Sequence, residues 1–300
     1  MSRPAARSLT QRWVATHLPA RPARAHKGDF GRLLVVAGST EYPGAAMLTA
    51  LGAMRAGAGL VRVAAAESVA AQLAGLVPEL TWMVLDEEAK GLIAPSGWRR
   101  VTNEAANHDA VVIGPGLGSQ PATQRRTKNL ITGLRVPGVV DADGLNALAG
   151  GSNWWTGLAA TLVLTPHPGE FARLTNADAP SSDDDDARLT SARDAALRWQ
   201  QVVVLKGANT VIADPQGDVL RSDVSSPALA TAGTGDLLAG VIGAFLAAGL
   251  APMDAAGAGV AVHGAAGLLA EDRIGHAGVM ARDIAALLPE AIDQLRGRSQ

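Results

Sequence analysis

The residues best suited to chemistry lie in the segment 233–236, Gly-Thr-Gly-Asp, which runs directly into a long apolar stretch without charge. Because Gly233 and Gly235 carry no Cβ, the backbone N–H groups of this turn can point outward together at the start of a helix. Unpaired amides and the helix dipole make such a turn a binding site for an anion. Asp236 is then either an ordinary residue of the first helical turn or a general base held beside the anion.

This turn is similar to the anion hole and catalytic base of the ribokinase-like superfamily. The longer phrase at 227–236, Pro-Ala-Leu-Ala-Thr-Ala-Gly-Thr-Gly-Asp, resembles one branch of it. That branch is the ADP- or ATP-dependent NAD(P)H-hydrate dehydratases, which repair hydrated nicotinamide cofactors. The resemblance, which extends over about 27–289, implies a catalytic site of Asp236, Gly235 and Gly233. Asp236 would be the base, and Gly235 would also contact the nucleotide.

Two polar segments directly follow predicted strands. In a parallel α/β sheet, ligands bind at the carboxyl ends of the strands. Asp143 and Asn146 come after the predicted strand 138–140 and suit hydroxyl recognition or an outer-shell role for Mg²⁺. The alternative is that Asp143 caps a short helix. His167 stands between two prolines after the predicted strand 162–164, and a lone histidine there could also be structural. In the dehydratases the matching phrases contact the hydrated nucleotide, which implies that role for all three residues.

A glycine-rich phrase at 114–118 does not fit the dinucleotide-binding fingerprint, because Ser119 stands where its third glycine belongs. The resemblance instead assigns Gly116 and Gly118 to the pocket for the hydrated cofactor. It adds Ala45, in a small-residue segment near the start of the chain. A tight turn at the glycines and helix packing at the alanine are the structural alternatives.

Lys206 directly follows four apolar residues of the predicted strand 202–205 and is one of four lysines in the chain. Its ammonium could bind a phosphate as a point charge, although a plain hairpin connection is the alternative. By resemblance the adenine nucleotide contacts a short segment that consists of Lys206, Gly207, Ala208, Asn209 and Thr210. One position departs from the family pattern, because Ser226 stands where an asparagine is usual.

The alternation of short apolar segments with helical stretches predicts an α/β fold of ribokinase-like type: a doubly wound, mostly parallel sheet with helices on both faces. Predicted strands are 33–37, 60–63, 81–85, 110–113, 138–140, 162–164, 202–205 and 211–213, the last in an antiparallel hairpin. Predicted terminal helices are 236–249, 254–271 and 281–295. We expect an N-terminal arm at 1–26 and a single domain at 27–300. Twenty-six residues are too few for the epimerase domain that some family members carry in front.

The composition of the chain argues against several classes of binding partner. A net charge of −2 argues against a general nucleic-acid-binding surface, and the apolar segment 237–253 is shorter than a membrane span. The absence of cysteine fits a cytoplasmic protein and excludes thiolate chemistry. The aspartate run 183–186 is expected to be a solvated loop, since consecutive residues cannot all face one ion. The sequence therefore identifies no metal ligand with certainty.

The resemblance implies an enzyme that dehydrates hydrated NADH or NADPH (NADHX and NADPHX, S form), with ADP or ATP as co-substrate and Mg²⁺ as cofactor. ADP would give AMP and phosphate. We expect a homo-oligomer, with a tetramer as one arrangement. Two alternatives stay open: a small-molecule kinase of the same fold that acts on a hydroxymethyl group, and a non-catalytic nucleotide-binding module.

Overall fold

The computed structural model describes residues 6–149, 151 and 153–297. Within them the strands are β1 Arg7–Ser8, β2 Arg32–Val36, β3 Leu60–Ala66, β4 Thr81–Leu85, β5 Glu87–Ala89, β6 Leu92–Ile93, β7 Ala110–Ile113, β8 Gly138–Val140, β9 Leu162–Leu164, β10 Val202–Leu205, β11 Val211–Ala213 and β12 Val219–Arg221. The helices are α1 Gln11–His17, α2 Pro43–Ala56, α3 Glu67–Leu73, α4 Pro95–Ala105, α5 Pro121–Gly133, α6 Asp143–Ala149, α7 Pro168–Thr175, α8 Asp185–Trp199, α9 Thr234–Ala247, α10 Pro252–Ile274 and α11 Ala281–Leu295. Two 3₁₀ turns cover Lys27–Phe30 and Pro227–Leu229.

Ten of these strands form one sheet in the order β1-β12-β11-β10-β9-β8-β7-β2-β3-β4. All neighbours are parallel from β10 to β4, and β11 pairs antiparallel with β10 and β12. The central strands β2 and β7 are apolar without alternation because helices cover both faces of the sheet. This arrangement confirms the predicted doubly wound, mostly parallel sheet and its late hairpin.

The N-terminal segment contains more structure than the arm expected from the sequence. β1 pairs parallel with β12 at the edge of the sheet, and α1 begins after Thr10, whose hydroxyl accepts from the Trp13 amide. Val14 on α1 is completely buried. Residues 7–17 therefore contribute to the same sheet and core as the later chain, which the sequence did not indicate.

Helix α9 packs very closely against α2, and small residues make this possible. A Cβ on Gly240 would lie 1.9 Å from the carbonyl oxygen of Thr49, and one on Gly52 would lie 2.3 Å from that of Leu237. Nearly every residue of α9 is buried. The start of α9, which carries the 233–236 turn, is thus fixed by backbone-to-backbone contact rather than by long side chains.

One helix in the described part of the chain, α10, has the length and mean hydropathy of a membrane span, but 72% of its most apolar window is buried inside the protein. It packs against α9 and α11 as a core helix.

The close approach of α2 and α9 predicts that Gly240→Ala lowers the free energy of unfolding. The added methyl group must displace backbone, and overpacking of this kind costs about 1–3 kcal/mol. Gly133→Ala is the matched control, because Gly133 is exposed at the end of α5 with open space around it. Urea unfolding of both variants checks this, and equal stability of the two would contradict the packing described.

Candidate functional site

The site is built where the carboxyl ends of β8, β9 and β10 meet the start of α9. Gly233 is the N-cap of α9 with a left-handed φ of 87°, and no side chain caps this helix. Thr234 anchors the turn, because its hydroxyl donates to the carbonyl oxygens of Leu229 (2.8 Å) and Thr231 (2.9 Å). The turn therefore presents a helix N-terminus without a side-chain cap, a geometry that suits the binding of an anion.

A buried lysine lies beside this turn. The Nζ atom of Lys206 is 2.7 Å from Oδ1 of Asp141 and 3.8 Å from Oε2 of Glu170, and the Thr165 hydroxyl donates to the same Oδ1 (2.8 Å). Burial alone lowers the pKa of Lys206, but the carboxylates of Asp141 and Glu170 more than offset it, so the pKa is raised. Lys206 therefore stays charged.

Asp236 faces this cluster from the first turn of α9. Burial and the carboxylates of Asp141, Asp143 and Glu170 raise its pKa to about 7, against the opposing effect of Lys206. A carboxyl group with this pKa can take up and release a proton near neutral pH. Burial and the Asp141 carboxylate also raise the pKa of Glu170.

Two cavities adjoin the turn. The larger has a volume of about 630 Å³ and is lined by His167, Lys206, Gly207, Ala208, Thr210, Val224, Ser225, Ser226, Pro227, Leu229, Ala230, Thr234, Gly235, Leu238 and His263. The smaller has about 370 Å³ and is lined by Glu41, Tyr42, Ala45, Gly116, Gly118, Ser119, Asp143 and Asp236. Consecutive residues of α9, Gly235 and Asp236, line one cavity each. A group transferred between two ligands could pass here.

The smaller cavity unites most of the residues predicted to contact the hydrated cofactor. Ala45, Gly116, Gly118 and Asp143 all line it together with Asp236. The Gly118 amide donates to Oδ2 of Asp143 (2.8 Å), which fixes the carboxylate in the wall.

Asn146 does not line either cavity. Its amide donates to Oδ1 of Asp143 (3.3 Å), and its oxygen accepts from Nε of Arg173 (2.9 Å). In this structure Asn146 orients Asp143 from behind.

The predicted nucleotide residues gather in the larger cavity, with one exception. Lys206, Gly207, Ala208, Thr210 and Gly235 line it. Asn209 has a left-handed φ of 53°, and its side chain donates to Asp185 (3.3 Å) on α8 instead.

His167 lies in the larger cavity, away from the other residues predicted to contact the hydrated cofactor. Its Nδ1 accepts from the amides of Gly169 (3.0 Å) and Glu170 (3.4 Å), so it caps α7. Burial, then the charges of Lys206 and Arg173, lower its pKa. The contact of His167 with the hydrated cofactor stays a prediction.

Gly233 lines neither cavity and acts through its backbone conformation. A Cβ there would lie 2.3 Å from the Leu48 side chain, and its φ lies in the region that favours glycine. Ser226, which stands in place of the usual asparagine, caps the 3₁₀ turn through the Ala228 amide (3.2 Å) and donates to the carboxylate of Glu271.

The sequence analysis missed Arg188, which supports the segment 206–210 from beneath. Its side chain is buried on α8, and its guanidinium donates to the carbonyl oxygens of Leu205 (3.3 Å), Ala208 and Asn209 (3.4 Å). A Cβ on Gly207 would lie 2.8 Å from Nη2 of Arg188. One arginine among many on a polar helix carries no sequence signal for this role.

A family profile described as NAD(P)H-hydrate dehydratase matches residues 33–290. The chain belongs to this family. Its ribokinase-like fold is likewise confirmed.

Among curated relatives, the bifunctional NAD(P)H-hydrate repair enzyme Nnr of Moorella thermoacetica is 43% identical over 289 residues, which are 96% of this chain and 54% of that protein. The chain thus spans about half the length of the first curated relatives it matches. The ADP-dependent (S)-NAD(P)H-hydrate dehydratase of Xanthomonas campestris is 37% identical, over 98% of this chain and 99% of that protein.

Among solved structures, an ADP/ATP-dependent NAD(P)H-hydrate dehydratase from Bacillus subtilis, co-crystallized with ATP/Mg²⁺, superposes with a TM-score of 0.82. It is 33% identical, and the match covers 97% of this chain and 99% of that one.

The raised pKa of Asp236 predicts a pH-dependent stability effect of Asp236→Asn. Between about pH 4 and pH 7 the folded protein holds this proton more tightly than the unfolded chain does, so wild-type stability falls as pH rises through that range. The asparagine variant does not suffer this loss. Its melting temperature should therefore exceed that of wild type at pH 8 and approach it at pH 4.

Asp194→Asn, which removes an exposed carboxylate on α8, is the control and should change the melting temperature little at either pH. A melting temperature of Asp236→Asn below that of wild type at pH 8 would show that the Asp236 carboxylate stabilises the fold instead.

Proposed function

We propose that this protein is a nucleotide-dependent dehydratase that returns the S form of hydrated NADH or NADPH to NADH or NADPH, using ADP or ATP. The observation that carries this proposal is Asp236 at the junction of two cavities, with its pKa raised to about 7, in the first turn of α9, whose N-terminus no side chain caps. Family membership and the names of the relatives support the substrate class.

The hydrated cofactor carries a hydroxyl on the ring carbon next to the nitrogen, and hydroxide is a poor leaving group. Asp236 takes the proton of this hydroxyl. The hydroxyl oxygen of the cofactor then attacks the terminal phosphorus of the nucleotide. The bond from that phosphorus to the bridging oxygen breaks, so ADP leaves as AMP. The amides of the 233–236 turn and the ammonium of Lys206 stabilise the charge on the transferring group.

The resulting phosphate ester decomposes without further help from a strong acid. The lone pair of the ring nitrogen expels phosphate and forms an iminium ion, and loss of a proton from the adjacent carbon restores the dihydronicotinamide. The balance is one hydrated cofactor and one ADP converted to one NADH or NADPH, one AMP, one hydrogen phosphate and one proton, which passes to solvent. With ATP the nucleotide product is ADP.

The residues present fit a Mg²⁺ ion that is bound mainly by the nucleotide. Among the described residues no three His, Cys, Asp or Glu side chains form a metal cluster, and Mg²⁺ often uses one or two carboxylates plus substrate phosphates. Asp141 would supply such a ligand, because it lies next to the start of α9, where we place the phosphates. Its Oδ2 is 4.0 Å from the point that a Cβ on Gly235 would occupy. When bound, Mg²⁺ neutralises charge on the donor phosphates.

We further propose a cytoplasmic location, which the cysteine-free composition supports. A homo-oligomer stays a prediction, and gel filtration with light scattering tests it.

The activity is tested by incubating the full chain with hydrated NADH or NADPH and ADP or ATP. We expect the absorbance band of the dihydronicotinamide to appear, with one equivalent of phosphate released. Nucleotide binding without this product, together with phosphorylation of an unrelated small alcohol, would favour the kinase alternative. Nucleotide binding without any turnover would favour the non-catalytic module.

The mechanism predicts that Asp236→Asn lowers turnover by at least ~10²-fold, the scale of a lost general base. Nucleotide affinity should change little, because Gly235 and Lys206 remain. In wild type, kcat/KM should rise as pH rises through about 7, since the carboxyl group must be deprotonated to act. Asp194→Asn is again the control. Near-normal turnover of Asp236→Asn would reduce Asp236 to a structural residue.

A further inference from the structure

The smaller cavity contains an aromatic side chain to which the proposed mechanism gives no role. Tyr42 lines this cavity together with Asp236. A Cβ on Gly116, which lies in the same wall, would be 2.8 Å from the Cβ of Tyr42, so the tyrosine side chain leaves the backbone at the cavity. Tyr42 is 55% exposed, and its ring is therefore accessible to a ligand. Among the described residues that line the two cavities, it is the only Phe, Trp or Tyr.

The mechanism places the ring of the hydrated cofactor within reach of Tyr42. Asp236 must lie within hydrogen-bond distance of the ring hydroxyl in order to take its proton. The cavity volume of about 370 Å³ is at the lower end of the range for small-molecule pockets. A ring that reaches Asp236 therefore also lies close to the other walls, and the nicotinamide ring and the tyrosine ring share one small space.

The charges in the wall of this cavity suit a positive ring. Its charged lining residues are Glu41, Asp143 and Asp236, and no Lys or Arg is among the described residues that line it. The ring of the hydrated cofactor is neutral, but the second half of the mechanism makes it positive. The C–O bond to the phosphate breaks and both electrons leave with the phosphate, while the lone pair of the ring nitrogen forms the C=N bond of the iminium ion. The adjacent C–H bond then loses its proton, and its electrons form the C=C bond of the neutral product ring.

We propose that Tyr42 is a catalytic residue of this second step: the face of its ring packs on the nicotinamide ring and stabilises the iminium ion by a cation–π interaction. This inference rests on the proposed function. A cation is attracted to the face of an aromatic ring, and the attraction grows where water is excluded. Asp236 and the start of α9 thus serve the transfer of the phosphoryl group, and Tyr42 serves the expulsion of phosphate.

The experiment follows both steps in one time course, in which the full chain is mixed with hydrated NADH and ADP or ATP. The nucleotide product, measured in quenched samples, reports phosphoryl transfer, and the absorbance of the dihydronicotinamide reports the second step. Tyr42→Leu should form the nucleotide product at about the wild-type rate. It should form the dihydronicotinamide at least about threefold more slowly, so that the phosphorylated cofactor accumulates.

Two further variants serve as comparisons. Tyr42→Phe keeps the ring face and should restore the wild-type timing of the second step. Leu76→Ala, at an exposed residue that lines neither cavity, is the control and should leave both steps unchanged. The assignment would be overturned if Tyr42→Leu slowed both steps equally, slowed phosphoryl transfer alone or slowed neither. A lag in Tyr42→Phe as large as in Tyr42→Leu would assign the effect to the hydroxyl and overturn it as well.

A binding measurement tests the same inference without turnover. NAD⁺ carries a positive nicotinamide ring and NADH a neutral one. In calorimetric titration Tyr42→Leu should therefore lose at least about threefold more affinity for NAD⁺ than for NADH. Equal losses for the two would contradict the cation–π contact. Absence of any nucleotide product with the wild type in the time course would instead contradict the proposed function.

Discussion

The site depends on one buried positive charge. Lys206 lies among the carboxylates of Asp141, Glu170 and Asp236, and its charge lowers the pKa of Asp236 against the opposing effects of burial and the acidic neighbours. A buried carboxylate left without its partner costs about 3–5 kcal/mol. The lysine therefore permits three acids to lie close to a helix N-terminus, but its charge does not fully offset burial and carboxylate repulsion at Asp236, whose pKa is raised to about 7.

The excess of carboxylates over positive charge around Asp236 suits the role that we propose for this residue. Asp141 accepts directly from Lys206 and Thr165, whereas Asp236 is held by the packing of α9 on α2 at a place where burial and the neighbouring carboxylates raise its pKa. The group that must exchange a proton is thus the one whose pKa lies near 7. The rigid contact of α9 with α2 matters here, because a shift of α9 would change the distance from Asp236 to every other charge in the cluster.

Much of the framework could be predicted from the sequence. The strands at 110–113, 138–140, 162–164 and 202–205 have the bounds that the apolar runs gave them. Uninterrupted apolar runs are a strong signal for strands buried on both faces. α9 begins at Thr234 instead of the predicted 236, since Gly233 already provides the cap.

Features that depend on tertiary contacts could not be predicted. α1 is short and has few apolar residues, so its packing through Val14 leaves no periodic pattern. The directions of the Asn146 and Asn209 side chains are set by Arg173 and Asp185, which lie far away in the sequence. His167 is held locally, because its own ring caps α7. Arg188 and His263 lie on helices, and the sequence around them does not indicate the contacts that either side chain makes in the fold.

The central claim is that Asp236 is a carboxyl group poised near neutrality by burial and its acidic neighbours. The most direct test is NMR titration of the protein labelled with ¹³C at the aspartate carboxyl carbons, with the Asp236 signal assigned by its loss in Asp236→Asn. The account predicts a titration midpoint near pH 7. A midpoint near the ordinary aspartate value of about 4 would contradict it.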